Sequence, residues 1–294
     1  MTRPSAQPAL TGQVLADAES VAGLLRTELP AEGRLGVAYS GGVDSATLLA
    51  LAVRALGSAR VVALLGVSPS LAARERATAH QEAARIGAEV VEIPTHEGED
   101  PDYIANDVDR CFHCKDELFT RIDDDVAADQ GLDAVAYGEN ADDALRRDRP
   151  GARAAAEHAV LRPLAEAGMD KARVREAARQ LGLSVADKPA APCLASRIPH
   201  GESVTPQKLA QVEALEAAAA DQGFSDSRAR HHGTVARLEL PVDELPRALE
   251  PDVRAALVRA GREAGFAHVS IDLGGLQSGA FTLQILNARG SLSA

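Results

Sequence analysis

The chain has 294 residues, enough for two domains and a large core, and its 31 basic and 43 acidic side chains leave a net charge of −12. No basic block relieves that acidity, which counts against a dedicated nucleic-acid binder. An uninterrupted apolar run of about eighteen residues is missing as well, which excludes an ordinary membrane-spanning helix. Met1–Pro8 has no apolar core after Arg3 and reads as a frayed tail, not a signal peptide. The three cysteines are therefore expected reduced, in a cytoplasmic protein.

Taken in chain order, a helical pattern near Val14–Leu29 precedes a short apolar strand, Arg34–Tyr39. The turn Ser40-Gly41-Gly42-Val43-Asp44-Ser45 follows it. From Asp44 the pattern is helical, with Leu48, Leu49, Ala52, Val53 and Leu56 at helical spacing and a stop at Gly57. A Gly- and Ser-rich turn between strand and helix is an anion cradle. Glycine lets the backbone approach an oxyanion, free N–H groups point at it, and the helix dipole favours negative charge. Ser40, Ser45 and Thr47 are expected to add hydroxyl donors. No Gly-Lys-Ser/Thr follows, so this is not the common mononucleotide loop.

Strand and helix patterns then alternate. Val61–Leu65 and Ala88–Ile93 read as strands around a helix at Leu71–Ile86. Cys114–Ala128 reads as helix, Ala134–Tyr137 as a fourth strand closed by Gly138, and Asp170–Leu181 as a further helix. Such alternation predicts an α/β fold, a parallel sheet flanked by helices on both faces. Ligands bind beyond the carboxyl ends of such strands. The loops after Tyr39, Leu65, Ile93 and Tyr137 are therefore expected to share one crevice, with Leu65 and Gly138 beside the nucleotide. Past Gly201 the character changes to a helix at Gln207–Ala220, short alternating runs at Ala236–Leu240 and Ala267–Leu273, and a helix near Pro251–Ala264. The expected domains are residues 1–200 and a small α+β domain at 201–294.

Cys111-Phe112-His113-Cys114-Lys115 is a C-x-x-C at a helix start, where the dipole and Lys115 favour thiolate. Cys193 lies 79 residues further on. Three thiolates suit a [4Fe–4S] cluster with one open iron. Two other readings stay open: a cysteine used directly as sulfur donor, and a zinc site, redox pair or incidental thiols.

The SGGxDS turn resembles the pyrophosphate loop of the ATP pyrophosphatases, whose fold is PP-loop/HUP-like (adenine nucleotide α-hydrolase-like). Further segments narrow the likeness: Pro192-Cys193-Leu194-Ala195-Ser196-Arg197, Gly138-Glu139-Asn140-Ala141-Asp142-Asp143, Asp148-Arg149-Pro150-Gly151, Arg162-Pro163-Leu164 and Asp187-Lys188-Pro189. With His232–Glu239 and Ile271–Gly279, they resemble the ATP-dependent sulfur transferases of nickel-pincer cofactor synthesis, the LarE family. The likeness covers nearly the whole chain beyond residue ~12. It implies that Cys193 bears the sulfur. In single-cysteine members that sulfur is sacrificed; the three-cysteine pattern implies a cluster held by Cys111, Cys114 and Cys193 that carries an extra sulfide.

The implied substrate is a nicotinate-derived mononucleotide with two pyridinium carboxylates. ATP would adenylate a carboxylate, and sulfide from the open iron would then give a thiocarboxylate. Ser40, Gly41, Gly42 and Ser45 would hold pyrophosphate, and Asp44 would bind Mg²⁺. Arg197, Lys115, Lys188 and Arg149 are candidates for the substrate phosphate and carboxylates. Arg230, Arg237 and Glu239 would reach that phosphate from the small domain or a neighbouring subunit. Asp142 and Asp143 are read as orienting these bases, ligating Mg²⁺ or capping a helix. His231 and His232 read as surface or interface histidines. The partners implied are a small-molecule substrate, a sulfide donor and further copies of the chain in a trimer-based hexamer. The rival readings are tRNA thiolation, glutamine-dependent amidation and a non-catalytic nucleotide sensor.

Overall fold

The helical pattern at the start of the chain forms α1 (Gly12–Glu28), whose buried stripe of Val14, Ala18, Val21 and Leu25 faces α2 and α10. The strand β1 (Arg34–Ala38) and the helix α2 (Val43–Leu56) bracket the Ser–Gly turn. Because α2 is covered by α1, α3 and α10, every residue from Ser45 to Val53 is buried. Next come β2 (Val61–Val67), α3 (Ala73–Ile86), β3 (Glu89–Pro94), the short α4 (Pro101–Ala105) and α5 (Arg110–Arg121). A π turn at Ile122–Val126, α6 (Ala127–Gln130) and β4 (Leu132–Tyr137) follow. Three short helices, α7 (Ala141–Ala144), α8 (Pro150–Glu157) and α9 (Pro163–Glu166), lead to α10 (Lys171–Gln180).

The computed structural model describes residues 8–145 and 150–276, in two compact units. The first comprises the chain to Ser68, Ala73–Glu97 and Cys111–Ala191. Its four strands are all parallel, in the order β3-β2-β1-β4, the α/β sheet expected. Leu161 extends it by a single bridge to Ala136. One layer of the core is built from Val62, Leu64, Ile93, Phe119, Ile122 and Tyr137 with Ala154 and Ala155.

The second unit contains Pro69–Ala72, Gly98–Arg110 and the chain from Pro192 onward. It thus opens ahead of residue 201 and takes in two earlier loops. Asn106 ties these loops down: its buried amide donates to the carbonyls of Ile198, Pro199 and Glu202. The helix α11 (Pro206–Asp221), capped by Thr205, packs on β5 (Arg228–His232). β5 pairs antiparallel with β6 (Val235–Glu239), and the crossover helix α12 (Pro251–Glu263) returns the chain to β7 (His268–Ile271), parallel to β6.

Three elements differ from expectation. Helix α5 starts four residues before Cys114, so both cysteines of the C-x-x-C lie in its first turns, and the π turn ends it at Arg121 instead of Ala128. β2 runs on to Val67, so Leu65 sits inside the ladder opposite Glu92, not at the loop. β5 has no apolar alternation and was not anticipated. Among the described residues, no helix is long and apolar enough to cross a membrane.

Candidate functional site

In the first unit, chemistry gathers at the carboxyl ends of β1 and β4, where the strand order reverses direction. Gly41 has φ +71, the left-handed region open to glycine, and a Cβ there would lie 2.8 Å from that of Ala79. The Ser45 hydroxyl donates to the Gly42 carbonyl at 3.1 Å and meets Ser40 Oγ at 3.2 Å, so the two serines brace the turn. Thr47 does not join them. It is fully buried and donates back to Val43, because it lies one turn inside α2. Gly138 packs against the opening of α2, where a Cβ would meet Ser45 N at 2.7 Å. Only glycine allows that approach.

Asp44 is held twice: Lys171 Nζ donates to one carboxylate oxygen at 2.5 Å, and Asn140 Nδ2 to the other at 3.2 Å. Sequence reasoning missed Lys171. It is the first residue of α10, and the segment after β4 brings it there. The Asp142 carboxylate accepts from the Lys171 backbone N–H at 3.0 Å, and Ala141 N donates to Met169 O at 2.8 Å. The cap of α7 is Asn140, which accepts from Asp143 N and donates to the Asp143 carboxylate at 2.8 Å. Asp142 and Asp143 are thus tied within this loop. Glu139, also buried, faces Arg162 at 3.5 Å.

The other basic candidates of this unit already have neighbours. The Lys115 ammonium lies 4.5 Å from the centre of the Tyr137 ring and its stem packs against Gly151. Lys188 pairs with Glu75 at 2.6 Å. Arg149 falls outside the described residues.

In the second unit, Cys193 caps the 3₁₀ turn Leu194–Arg197 and is exposed. Three arginines hold the carbonyls beneath it. Arg197 donates to Pro192 O at 2.6 Å and Cys193 O at 3.3 Å, Arg110 to Ala195 O at 3.0 Å, and Arg230 to Ser196 O at 3.0 Å. Arg197 is buried, and its remaining donors meet Glu216 at 2.8 and 2.9 Å and Ser196 Oγ. Burial pulls the Arg197 pKa down, but the bonds and charge of Glu216, with Cys193 and Asp226 nearby, raise it overall. Arg197, a substrate-binding candidate, thus bonds its own loop through Nη1 and Glu216 on α11 through Nε and Nη2.

Glu239, fully buried, accepts both forks of Arg230 at 3.0 and 2.9 Å and one contact from Arg237 at 3.2 Å. Arg237 also pairs with Asp272 and donates to His232 Nε2. Burial, then the charge of Arg237, lowers the His232 pKa. His231 is no surface group: it is buried against Phe266 and bonded to Gln211, and burial lowers its pKa. The buried Arg228, unmentioned by the sequence reading, stands in the same cluster, its pKa lowered by burial despite Asp226.

None of the three cysteines is cross-linked; Cys111 and Cys193 are exposed and Cys114 is half-buried. Cys111 and Cys114 are one turn apart on α5, and Arg110, which precedes Cys111, is bonded two residues beyond Cys193. Three thiols of this kind fit a thiolate-held iron–sulfur group by donor chemistry.

No protein-family model matches the chain. It is 40% identical over 243 residues to an uncharacterised protein of Synechocystis, covering 83% of this chain and 90% of that one. An uncharacterised Methanocaldococcus jannaschii protein is 25% identical over 81% of this chain and 88% of its own length. The pyridinium-3,5-bisthiocarboxylic acid mononucleotide synthase of Lactiplantibacillus plantarum is 34% identical over 253 residues, 84% of this chain and 88% of the synthase. Likeness of that extent, spanning both units and including a named enzyme, makes the chain a member of the LarE family of pyridinium-3,5-bisthiocarboxylic acid mononucleotide synthases.

Proposed function

We propose that the chain is an ATP-dependent sulfurtransferase that adenylates a pyridinium carboxylate mononucleotide and converts the carboxylate to a thiocarboxylate in nickel-pincer cofactor synthesis. The observation that carries this reading is the Ser40–Ser45 turn with Asp44 and Lys171 at a helix N-terminus, in a chain 34% identical to a thiocarboxylate synthase. A carboxylate has no good leaving group. Attack of its oxygen on the α-phosphorus of ATP, with pyrophosphate departing on the bridging electron pair, gives an acyl adenylate; sulfide attack on its carbonyl carbon then expels AMP with the C–O bonding pair and leaves a thiocarboxylate.

The chain's own residues match those needs. Ser40, Gly41, Gly42 and Ser45 form the cradle for pyrophosphate, and Lys171 adds a cation beside it. Asp44, a half-buried carboxylate held by one lysine and one amide, suits Mg²⁺, which neutralises charge on the departing phosphates. Cys111, Cys114 and Cys193 would hold a [4Fe–4S] cluster, which would supply the sulfur. Arg197 acts as a positioning residue for Cys193. Arg237, with Lys188 and Lys115, remains the proposed contact for substrate phosphate and carboxylates, and Glu239 works through Arg230 and Arg237.

Anaerobic incubation of the iron- and sulfide-reconstituted protein with ATP, Mg²⁺ and the pyridinium biscarboxylate mononucleotide tests the proposal. AMP, pyrophosphate and a thiocarboxylate product are expected. ADP and phosphate, or thiolation of tRNA in place of the mononucleotide, would overturn it.

A further inference from the structure

Beneath the exposed turn that bears Cys193, within the second unit, lies a buried asparagine, Asn106. Its backbone is left-handed, with φ +57, a conformation that asparagine tolerates better than most residues. Every polar atom of its side chain is engaged. Nδ2 donates to Pro199 O at 2.8 Å and Glu202 O at 3.0 Å, with Ile198 O at 3.3 Å, and Oδ1 accepts from Arg110 Nη1 at 2.6 Å. Its own carbonyl takes Gly201 N and His200 Nδ1, both at 3.1 Å. The same Arg110 nitrogen that meets Asn106 also donates to Ala195 O at 3.0 Å, 85 residues away along the chain. One nitrogen with two hydrogens thus bridges the asparagine to the cysteine-bearing turn.

A four-residue 3₁₀ turn has little of its own to hold it. Its backbone bonds are Ser196 N to Cys193 O at 2.9 Å and Ile198 N to Ala195 O at 3.2 Å, in a type of turn whose bond geometry is poorer than that of an α-helix. The strut from Asn106 adds a charged donor on Ala195 O, two residues after Cys193, in a buried setting where such a bond is strong. Sulfur transfer needs that constraint, because a reacting atom misplaced by about 1 Å can cost about a hundredfold in rate. Adenylation is assigned to the Ser40–Ser45 turn and does not need it. We propose that Asn106 acts through Arg110 as a positioning residue for sulfur transfer from Cys193, and not for adenylation. This rests on the sulfurtransferase reading above.

Asn106→Gly keeps the left-handed backbone and removes the side-chain amide. Hydrogen exchange of the full chain, read by mass spectrometry before reconstitution, is expected to quicken about tenfold over residues 193–199, while β5, β6 and the first unit keep their wild-type rates. After reconstitution, ATP–pyrophosphate exchange is expected unchanged, and thiocarboxylate formation is expected to fall about tenfold or more in kcat with the KM for ATP unaltered. Arg110→Met removes the bridge, leaves the Asn106 amide in place and is expected to give the same pattern, so it decides the matter if Asn106→Gly does not fold. Undiminished protection of the turn in a folded variant, or sulfur transfer that survives a loosened turn, overturns the proposal. Equal losses in both half-reactions with faster exchange throughout the chain, or failure of both variants to fold, makes Asn106 a purely structural residue and overturns it too. Absence of ATP–pyrophosphate exchange in the wild type overturns instead the reading on which it rests, so the two failures are distinguishable.

Discussion

Asp44 and Arg197 are both held by hydrogen bonds, yet their environments predict opposite experimental signatures. Asp44 is half-buried at a helix start, and Asn in its place keeps the shape and the contact with Asn140. Asp44→Asn should therefore fold normally and lose adenylation by about a hundredfold or more, read as ATP–pyrophosphate exchange. Unchanged exchange would remove Asp44 from the reaction. Arg197 is deep in the second unit, with Glu216 as its carboxylate. Glu216→Ala leaves a buried guanidinium without its counter-charge, and denaturant unfolding should report a loss of about 3–5 kcal/mol. A loss below about 1 kcal/mol, the range of an exposed ion pair, would show that the pair is solvated in solution.

At the scale of elements, the cysteine-bearing helix is anchored by a histidine clamp. His158, just past α8, is bonded through Nδ1 to Asp123 in the π turn at 2.7 Å and through Nε2 to Asp116 on α5 at 3.0 Å. Burial by itself lowers the imidazole pKa, but the bonds and charges of Asp123 and Asp116 outweigh it and the net shift is upward. With its native pKa above its unfolded one, the clamp contributes fully below the ordinary histidine value of 6.5 and is lost as pH rises through the native value. The stability difference between wild type and His158→Gln should therefore be largest below about pH 6 and shrink toward alkaline pH, followed by urea melts across that range. A difference that grows with pH would mean that the imidazole is neutral in the native state.

For the whole molecule, the sulfur source divides two mechanisms. A reconstituted cluster requires about four irons per chain, and replacement of any one of Cys111, Cys114 or Cys193 by Ala should abolish both iron and sulfur transfer while adenylation survives. If Cys111→Ala and Cys114→Ala transfer sulfur normally and mass spectrometry finds Cys193 desulfurised after one turnover, the cysteine itself is the donor. Assembly is a separate question. A homo-oligomer is proposed from the family likeness, and light scattering at working concentration tests it, with a monomer counting against it.

How much was legible in the chain depended on whether the interaction was local. The parallel sheet was readable because apolar strands and amphipathic helices alternate, and the Ser40–Ser45 turn because glycine and serine chemistry acts over six adjacent residues. β5 was not, since Arg228-Ala229-Arg230-His231-His232 shows no apolar alternation. Arg230 is buried there because Glu239 on β6 takes both forks of its guanidinium, and Arg228 lies within the charge of Asp226 and Glu239. Lys171 escaped notice for a related reason: 127 residues separate it from Asp44, and only the docking of the Gly138–Asp143 loop onto α10 joins them. Periodicity and turn chemistry, which depend on near neighbours, determined the α/β fold and the Ser–Gly turn between β1 and α2. Which charges are buried, and which partner each one meets, was decided by tertiary structure alone, because desolvation and Coulombic pairing depend on distance in space and not along the chain.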